Sequence, residues 1–274
     1  MTSLDRLTNN LNVEKNNCLQ VNDLSIAFGG IKAIDHLSFT VNQGEIYGLI
    51  GPNGAGKTTV FNCITQFYKA DHGEIMFSNR HGEILNLNSK VTHQIIYEGL
   101  VRSFQNIELI KDMSLIDNLL VGGHIEYKTG FIATGFRTKK AKREEAEQRE
   151  KAVKILKFLK IEDKANEHIG GQPYGVLKKV ELGRTLMSEP KLILLDEPAA
   201  GLNENETADM SNLLREIRDE YKCAILLVEH DMRLVMDVCD RICAISFGRK
   251  LGEGTALEIQ KNKDVQEAYL GKGD

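Results

Sequence analysis

The eight residues Gly51-Pro52-Asn53-Gly54-Ala55-Gly56-Lys57-Thr58 constrain this chain more than any other stretch. They fit the pattern G-x-x-x-x-G-K-[ST] at every fixed position. Before them stands Ile46-Tyr47-Gly48-Leu49-Ile50, an apolar run that reads as a buried strand. Residues 58–68, behind them, read as a helix. In that setting the glycines let successive backbone N–H groups turn inward and hold phosphate oxygens at a helix N-terminus. Lys57 would then reach the β- and γ-phosphates, and the Thr58 hydroxyl would hold Mg2+. A glycine-rich turn with an accidental lysine would need neither the strand before it nor the helix after it. The loop implies an α/β core and a nucleoside triphosphate, but it does not choose a reaction.

A second constellation narrows the chemistry. Leu192-Ile193-Leu194-Leu195 reads as a central strand, and Asp196-Glu197-Pro198 follows it directly. The acids thus emerge at a strand's C-terminal end, where open α/β sheets bind ligands. Asp196 would anchor the magnesium shell. Glu197, one residue on, is a candidate general base toward an attacking water. Acids after a strand also cap helices, but Asp196 and the phosphate loop are expected on neighbouring strands, which favours chemistry.

Composition removes several classes. The 274 residues carry 35 Lys plus Arg and 39 Asp plus Glu, so the net charge is 35 − 39 = −4. A mildly acidic chain is poorly suited to sequence-independent nucleic-acid binding, which depends on phosphate neutralisation. No apolar run approaches the roughly 18 residues that span a bilayer. Residues 1–17 are polar and asparagine-rich and read as a loose tail, not a secretory signal. Cys18, Cys63, Cys223, Cys239 and Cys243 form no C-x-x-C pair. Cys239 and Cys243 are four apart, but Cys243 falls in an apparent strand and no histidine follows at zinc spacing, so buried thiols in a reducing compartment are expected.

The chain changes character along its length. Short strand patterns dominate residues 19–77, broken by Gly29-Gly30 and by the turns at 42–45 and 71–73. Residues 106–170 carry few strand signals and a strongly charged stretch at 139–154. There Glu145 with Arg149, Glu147 with Lys151 and Glu150 with Lys154 are spaced for i,i+4 pairing on a solvated helix face. After residue 176 the α/β rhythm returns: a helix to residue 187, strands at 192–195 and 224–228, helices at 206–220 and 232–238, and a hairpin from 242. A helical insertion inside one α/β unit is expected.

With these residues in hand, the chain resembles the ATP-binding subunit of ABC transporters across nearly all of residues 19–270. Gln105 in Arg102-Ser103-Phe104-Gln105 matches the family's glutamine loop, which contacts magnesium and links it to the membrane subunits. His230 in Val228-Glu229-His230-Asp231 matches the switch histidine, and Phe28 stands where an aromatic ring stacks on adenine. Ala200-Gly201-Leu202-Asn203 occupies the dimer-contacting loop. The resemblance implies a P-loop NTPase core of the ABC ATPase kind, with an antiparallel β subdomain and an inserted helical subdomain. The expected boundaries are a tail at 1–17, the core at 18–105 and 186–274, and the helical signature subdomain at 106–185. ATP would be held by Phe28, by Gly51 through Thr59, by Asp196 and by Tyr174 and Gly175. Thr58, Gln105 and Asp196 would serve Mg2+. Glu197, His230, Lys57 and Gln105 would carry hydrolysis.

Finer features resemble the branch that serves branched-chain amino acid uptake: Glu197-Pro198-Ala199-Ala200-Gly201-Leu202-Asn203, Glu229-His230-Asp231-Met232, and the ending from Asp264 to Gly271. Urea and short-amide importers use close relatives, and these or another polar amino acid importer remain the alternative. The implied partners are two membrane permeases, a second ABC ATPase and an extracytoplasmic binding protein, with this chain at the cytoplasmic face of the membrane and no nucleic acid. A soluble factor acting on ribosomes or DNA is a rival, as is a non-hydrolysing regulatory subunit. The permeases' groove would be floored by Ile107, Leu109, Ile110, Met113, Leu115 and Ile116.

One departure stands out. The family signature, L-S-G-G-Q or L-S-Y-G-Q, appears here as Gln172-Pro173-Tyr174-Gly175-Val176. Pro173 replaces the serine whose hydroxyl binds the γ-phosphate, and proline has neither a hydroxyl nor an N–H. An asymmetric heterodimer with unequal ATP sites is therefore expected, unless backbone amides near Tyr174 and Gly175 replace the hydroxyl.

Overall fold

The structure, a computed structural model, describes residues 16–103, 108–126 and 139–270. Gln105 and Ile107, with nearly all of the expected tail, lie outside the described residues.

β3 (Ile46–Ile50) is buried at all five positions. So are β7 (Leu192–Asp196) and β8 (Ala224–Val228). A parallel sheet covered on both faces demands such uninterrupted apolar strands. With β6 (Leu100–Arg102), β9 (Arg241–Ser246) and β10 (Arg249–Gly254) they form a six-stranded sheet, β10-β9-β3-β8-β7-β6. Every pairing is parallel except the β9–β10 hairpin. Alternate residues enter opposite cores. Ile193, Leu195, Ile225 and Leu227 join one apolar cluster, and Leu192, Leu194, Leu226 and Val228 join the other.

This order corrects one expectation. The phosphate-loop strand and the Asp196 strand are not neighbours, because β8 lies between them. Strand order is set by the crossovers, and the later, fully apolar β8 takes the central place. The loop carrying His230 is thereby set between the phosphate loop and the acids.

A second, antiparallel sheet has the order β2-β1-β4-β5, from β1 (Asn17–Phe28), β2 (Ile31–Asn42), β4 (His72–Ser78) and β5 (Ile84–Asn86). On β1 the pairs Leu19 and Val21, then Leu24 and Ile26, point inward and are buried, the alternation being reset by an irregularity around Asp23. The β9–β10 turn ties this sheet to the phosphate loop. The Asp35 N–H donates to Gly248 O at 3.0 Å, and the Gly248 N–H donates to Ala55 O at 2.9 Å.

Helix α1 (Lys57–Ile64) starts where expected but ends four residues early. Gln66 adopts a left-handed backbone, φ 57°. Its side-chain amide donates to Cys63 O at 2.7 Å, and the Thr65 hydroxyl donates to Phe61 O at 2.9 Å. These bonds satisfy carbonyls that a longer helix would have used.

The inserted region holds α2 (Leu115–Gly122), α3 (Lys139–Phe158) and α4 (Tyr174–Leu186). Leu115, Leu119, Ile155, Leu156, Val180 and Leu186 from these helices share one core with Leu159, just past the end of α3. Of the candidate groove residues, Leu115 and Ile116 are buried there, whereas Ile110 and Met113 are exposed. The anticipated ion pairs are largely redirected. Lys154 does meet Glu150 at 2.7 Å, but Glu147 pairs with Arg143, Lys151 reaches Glu189 and Arg149 faces Asp117. Lys151 and Arg149 take partners outside the helix, and Glu147 takes Arg143 one turn back, because exposed i,i+4 pairs are worth only about 0.3–0.5 kcal/mol and are easily exchanged.

Beyond the insertion come α5 (Glu204–Tyr221), α6 (Met232–Val238), α7 (Ala256–Lys261) and α8 (Lys263–Leu270). All five cysteines are buried and free. Burial pushes the thiols of Cys18, Cys63, Cys223 and Cys243 up to about 12, which leaves them unreactive. No helix among the described residues is long and apolar enough to cross a membrane.

Candidate functional site

The phosphate loop leaves β3 through Gly51. A Cβ there would stand 2.3 Å from Ile245 O, so no side chain fits. It enters α1 through Gly56, whose φ of 106° and 2.6 Å approach to Ala33 O likewise exclude one. Gly56 caps α1 with no side-chain hydrogen bond, and no acidic residue stands in the first turn. The amides of that turn are therefore left for an anion. Lys57 is buried, and its ammonium donates to Gly51 O at 2.7 Å and Pro52 O at 3.1 Å. Burial pulls its pKa down, while the Glu197 and Asp196 carboxylates push back up.

Those carboxylates sit at the end of β7, as expected. Asp196 is buried, and its Oδ2 accepts from Arg102 Nη2 at 2.9 Å. Arg102 also donates to Asn62 Oδ1 at 2.7 Å and lies over the Phe61 ring. Glu197 holds a left-handed backbone, φ 51°, with its N–H donating to Val228 O at 2.9 Å. A non-glycine residue there stores strain of about 1–3 kcal/mol, a common signature of active sites. The His230 ring comes to it from the end of β8, with Nδ1 3.5 Å from Glu197 Oε1.

Lys57, Asp196, Glu197 and His230 are thus brought together. Phe28 takes Tyr68 as its ring partner, edge to face at 5.2 Å, and is half exposed. The signature residues gather elsewhere, around the loop at 200–203. The Tyr174 hydroxyl donates to Ala200 O at 3.1 Å, and its ring packs over Gly201. Pro173 is the N-cap of α4 and offers no side-chain hydrogen bond.

Sequence reasoning missed two groups. Arg102 gave no signal, since one arginine after Leu100-Val101 looks like any strand end. Glu229 did carry one, an acid directly after a buried strand, as Asp196 is. It is fully buried and accepts from the N–H groups of Ala199, His230 and Asp231.

A glycine cradle at a helix N-terminus, a buried lysine and two acids at the next strand but one define a nucleoside triphosphatase cassette. A family model described as ABC transporter matches residues 34–200. Another, described as branched-chain amino acid ATP-binding cassette transporter, matches residues 249–274. The chain is 41% identical to the high-affinity branched-chain amino acid transport ATP-binding protein LivG of Salmonella typhimurium, across 93% of this chain and 98% of LivG. It is equally similar to BraF of Pseudomonas aeruginosa, with the same coverage and a corresponding name. A crystal structure of the ADP conformation of an ATP-binding cassette of an ABC transporter superposes with a TM-score of 0.80. It is 33% identical, over 93% of this chain and 99% of that one. The chain belongs to the ABC transporter family, as an ATP-binding, ATP-hydrolysing cassette.

Proposed function

We propose that this chain powers an ABC importer of branched-chain amino acids, working from the cytoplasmic face of the membrane. The observation that carries the catalytic part is the meeting of Lys57, Asp196, Glu197 and His230 at the ends of β3, β7 and β8. For the substrate, support comes from the names of LivG and BraF and from the match at residues 249–274. The partners in this reading are two permeases, a second ABC ATPase and an extracytoplasmic binding protein. Residues 106–185 act as the inserted signature subdomain, with the exposed Ile110 and Met113 at its permease-facing groove.

The phosphates of ATP lie on the amides of the first turn of α1. Lys57 exchanges its carbonyl partners for phosphate oxygens, which places its charge on the β–γ bridge. Magnesium fits the donors present: the Thr58 hydroxyl and the Asp196 carboxylate are hard oxygens of the kind it takes. When bound, it neutralises charge developing on the phosphates. Arg102 holds one Asp196 oxygen and so fixes which oxygen faces the site. Glu197 accepts a proton from the attacking water, and His230 donates toward the γ-phosphate. Gln105 relays nucleotide state to the permeases. Phe28 stacks on adenine, and Tyr174 and Gly175 face the nucleotide held by the partner.

The deciding experiment is ATPase activity of the complete transporter in proteoliposomes. Binding protein loaded with leucine, isoleucine or valine should stimulate turnover. Stimulation by urea or short amides alone would move the substrate to the alternative branch and leave the ATPase reading intact.

A further inference from the structure

β7 and β8 run side by side, and each is followed by a loop carrying one proposed catalytic group, Glu197 or His230. The ladder between them ends at Asp196 opposite Val228, with one last bond from the Glu197 N–H to Val228 O. Beyond that point a single buried side chain continues the connection. Glu229 Oε1 accepts from the Ala199 N–H at 2.8 Å, in the loop after Glu197. Its Oε2 accepts from the His230 N–H at 2.9 Å and the Asp231 N–H at 3.2 Å. One carboxylate therefore grips both loops.

Glu229 is 0% exposed, so it cannot touch a nucleotide from this position. The chain nonetheless buries a carboxyl group at the junction, which is costly unless its oxygens are well bonded. Here each oxygen serves a different loop. A carboxylate accepts on both oxygens, whereas an amide accepts on only one. The grip also lies two residues from Glu197, whose left-handed backbone needs an external hold.

We propose that Glu229 is a positioning residue that fixes the register between the Glu197 loop and the His230 loop. The two side chains then meet the γ-phosphate and the attacking water in one geometry. This inference rests on the roles assigned above to Glu197 and His230.

The test is steady-state ATPase of the assembled transporter carrying Glu229→Gln, with thermal unfolding and ATP affinity measured beside it. The amide keeps the shape, but its NH2 must face either the Ala199 N–H or the His230 and Asp231 pair, so one loop is released. A shift of about 1 Å at reacting groups costs on the order of 10²-fold, so kcat should fall roughly 10- to 100-fold. KM for ATP, set at the phosphate loop, should stay within about threefold. Glu229→Asp keeps the charge and the local bonds but is one methylene short of Ala199, and its kcat should lie between the two. If the glutamine variant does not fold, the same kcat-against-KM split in Glu229→Asp decides. A folded variant with kcat within about threefold of the parent, or one losing kcat and ATP affinity together, overturns the positioning role. Glu197→Gln, run in parallel, separates the two readings. Multiple turnover there at the parent rate overturns the base and this inference with it. Turnover there reduced to the partner site's residual rate, with Glu229→Gln unaffected, overturns only the positioning role.

Discussion

The phosphate loop and the signature segment of this chain are built to different standards. At the phosphate end the described groups converge: a helix start at Gly56 with no side-chain cap, the buried Lys57, and Asp196, Glu197 and His230 from β7 and β8. At the signature end, the N-cap of α4 is Pro173, which supplies neither a γ-phosphate hydroxyl nor a side-chain cap. Tyr174 is braced on the chain's own Ala200, and Val176 packs toward the interior where the family has a glutamine. The charged groups among the described residues thus gather at the phosphate end, and in the proposed head-to-tail pair Pro173 leaves only backbone for a partner's nucleotide. In a head-to-tail pair this makes the site on this chain's phosphate loop the faster one, provided that the partner carries a serine signature.

At the signature end, the largest effect should come from restoring its missing side chains. Pro173→Ser with Val176→Gln adds one charge-assisted donor, worth about 1.5–3 kcal/mol, or roughly 10- to 150-fold in rate at the slow site. Single-turnover phosphate release from the complex reads it. No gain would mean that the amides of Tyr174 and Gly175 already do the work, and the contrast between the ends would dissolve.

A charge at the exposed edge of the insertion should act differently. Met113→Asp is expected to cut substrate uptake about tenfold while basal ATP hydrolysis stays within about twofold, because a helix-in-groove contact needs an apolar floor. Uptake and hydrolysis, measured on one proteoliposome preparation, check it. Normal uptake would move the permease contact elsewhere.

The smallest effect concerns the brace on Ala200. Tyr174→Phe removes one neutral hydrogen bond, worth about 0.5–1.5 kcal/mol, so ATPase activity should fall roughly 2- to 10-fold. An unchanged rate would show that ring packing over Gly201 alone holds the signature.

The contrast also explains what could be read without a structure. The phosphate loop was fully legible because its information is consecutive: strand, glycines, lysine and helix occupy residues 46–64. Asp196 and Glu197 were legible for the same reason. The intervening place of β8 was not, since crossovers rather than local pattern order a parallel sheet. Arg102 lies 94 residues from its partner Asp196, and Glu229 lies 30 from Ala199, so each contact exists only once β6, β7 and β8 are laid side by side. The length of α1 was misjudged because Gln66 turns left-handed on side-chain bonds that periodicity does not report. The charge run on α3 was correctly read as a solvated face, but its partners were chosen by neighbours such as Asp117 and Glu189.

In the proposed mechanism this chain's own phosphate end performs hydrolysis, with Glu197 as the base. The direct measurement is Glu197→Gln in this subunit alone, within the assembled transporter, with ATP affinity and multiple-turnover hydrolysis followed together. Losing a general base costs about 10²- to 10⁴-fold, so turnover should fall to the residual rate of the partner's site. ATP should still bind within about threefold of the parent affinity, because the amides and Lys57 are untouched. Hydrolysis continuing at the parent rate would contradict the account.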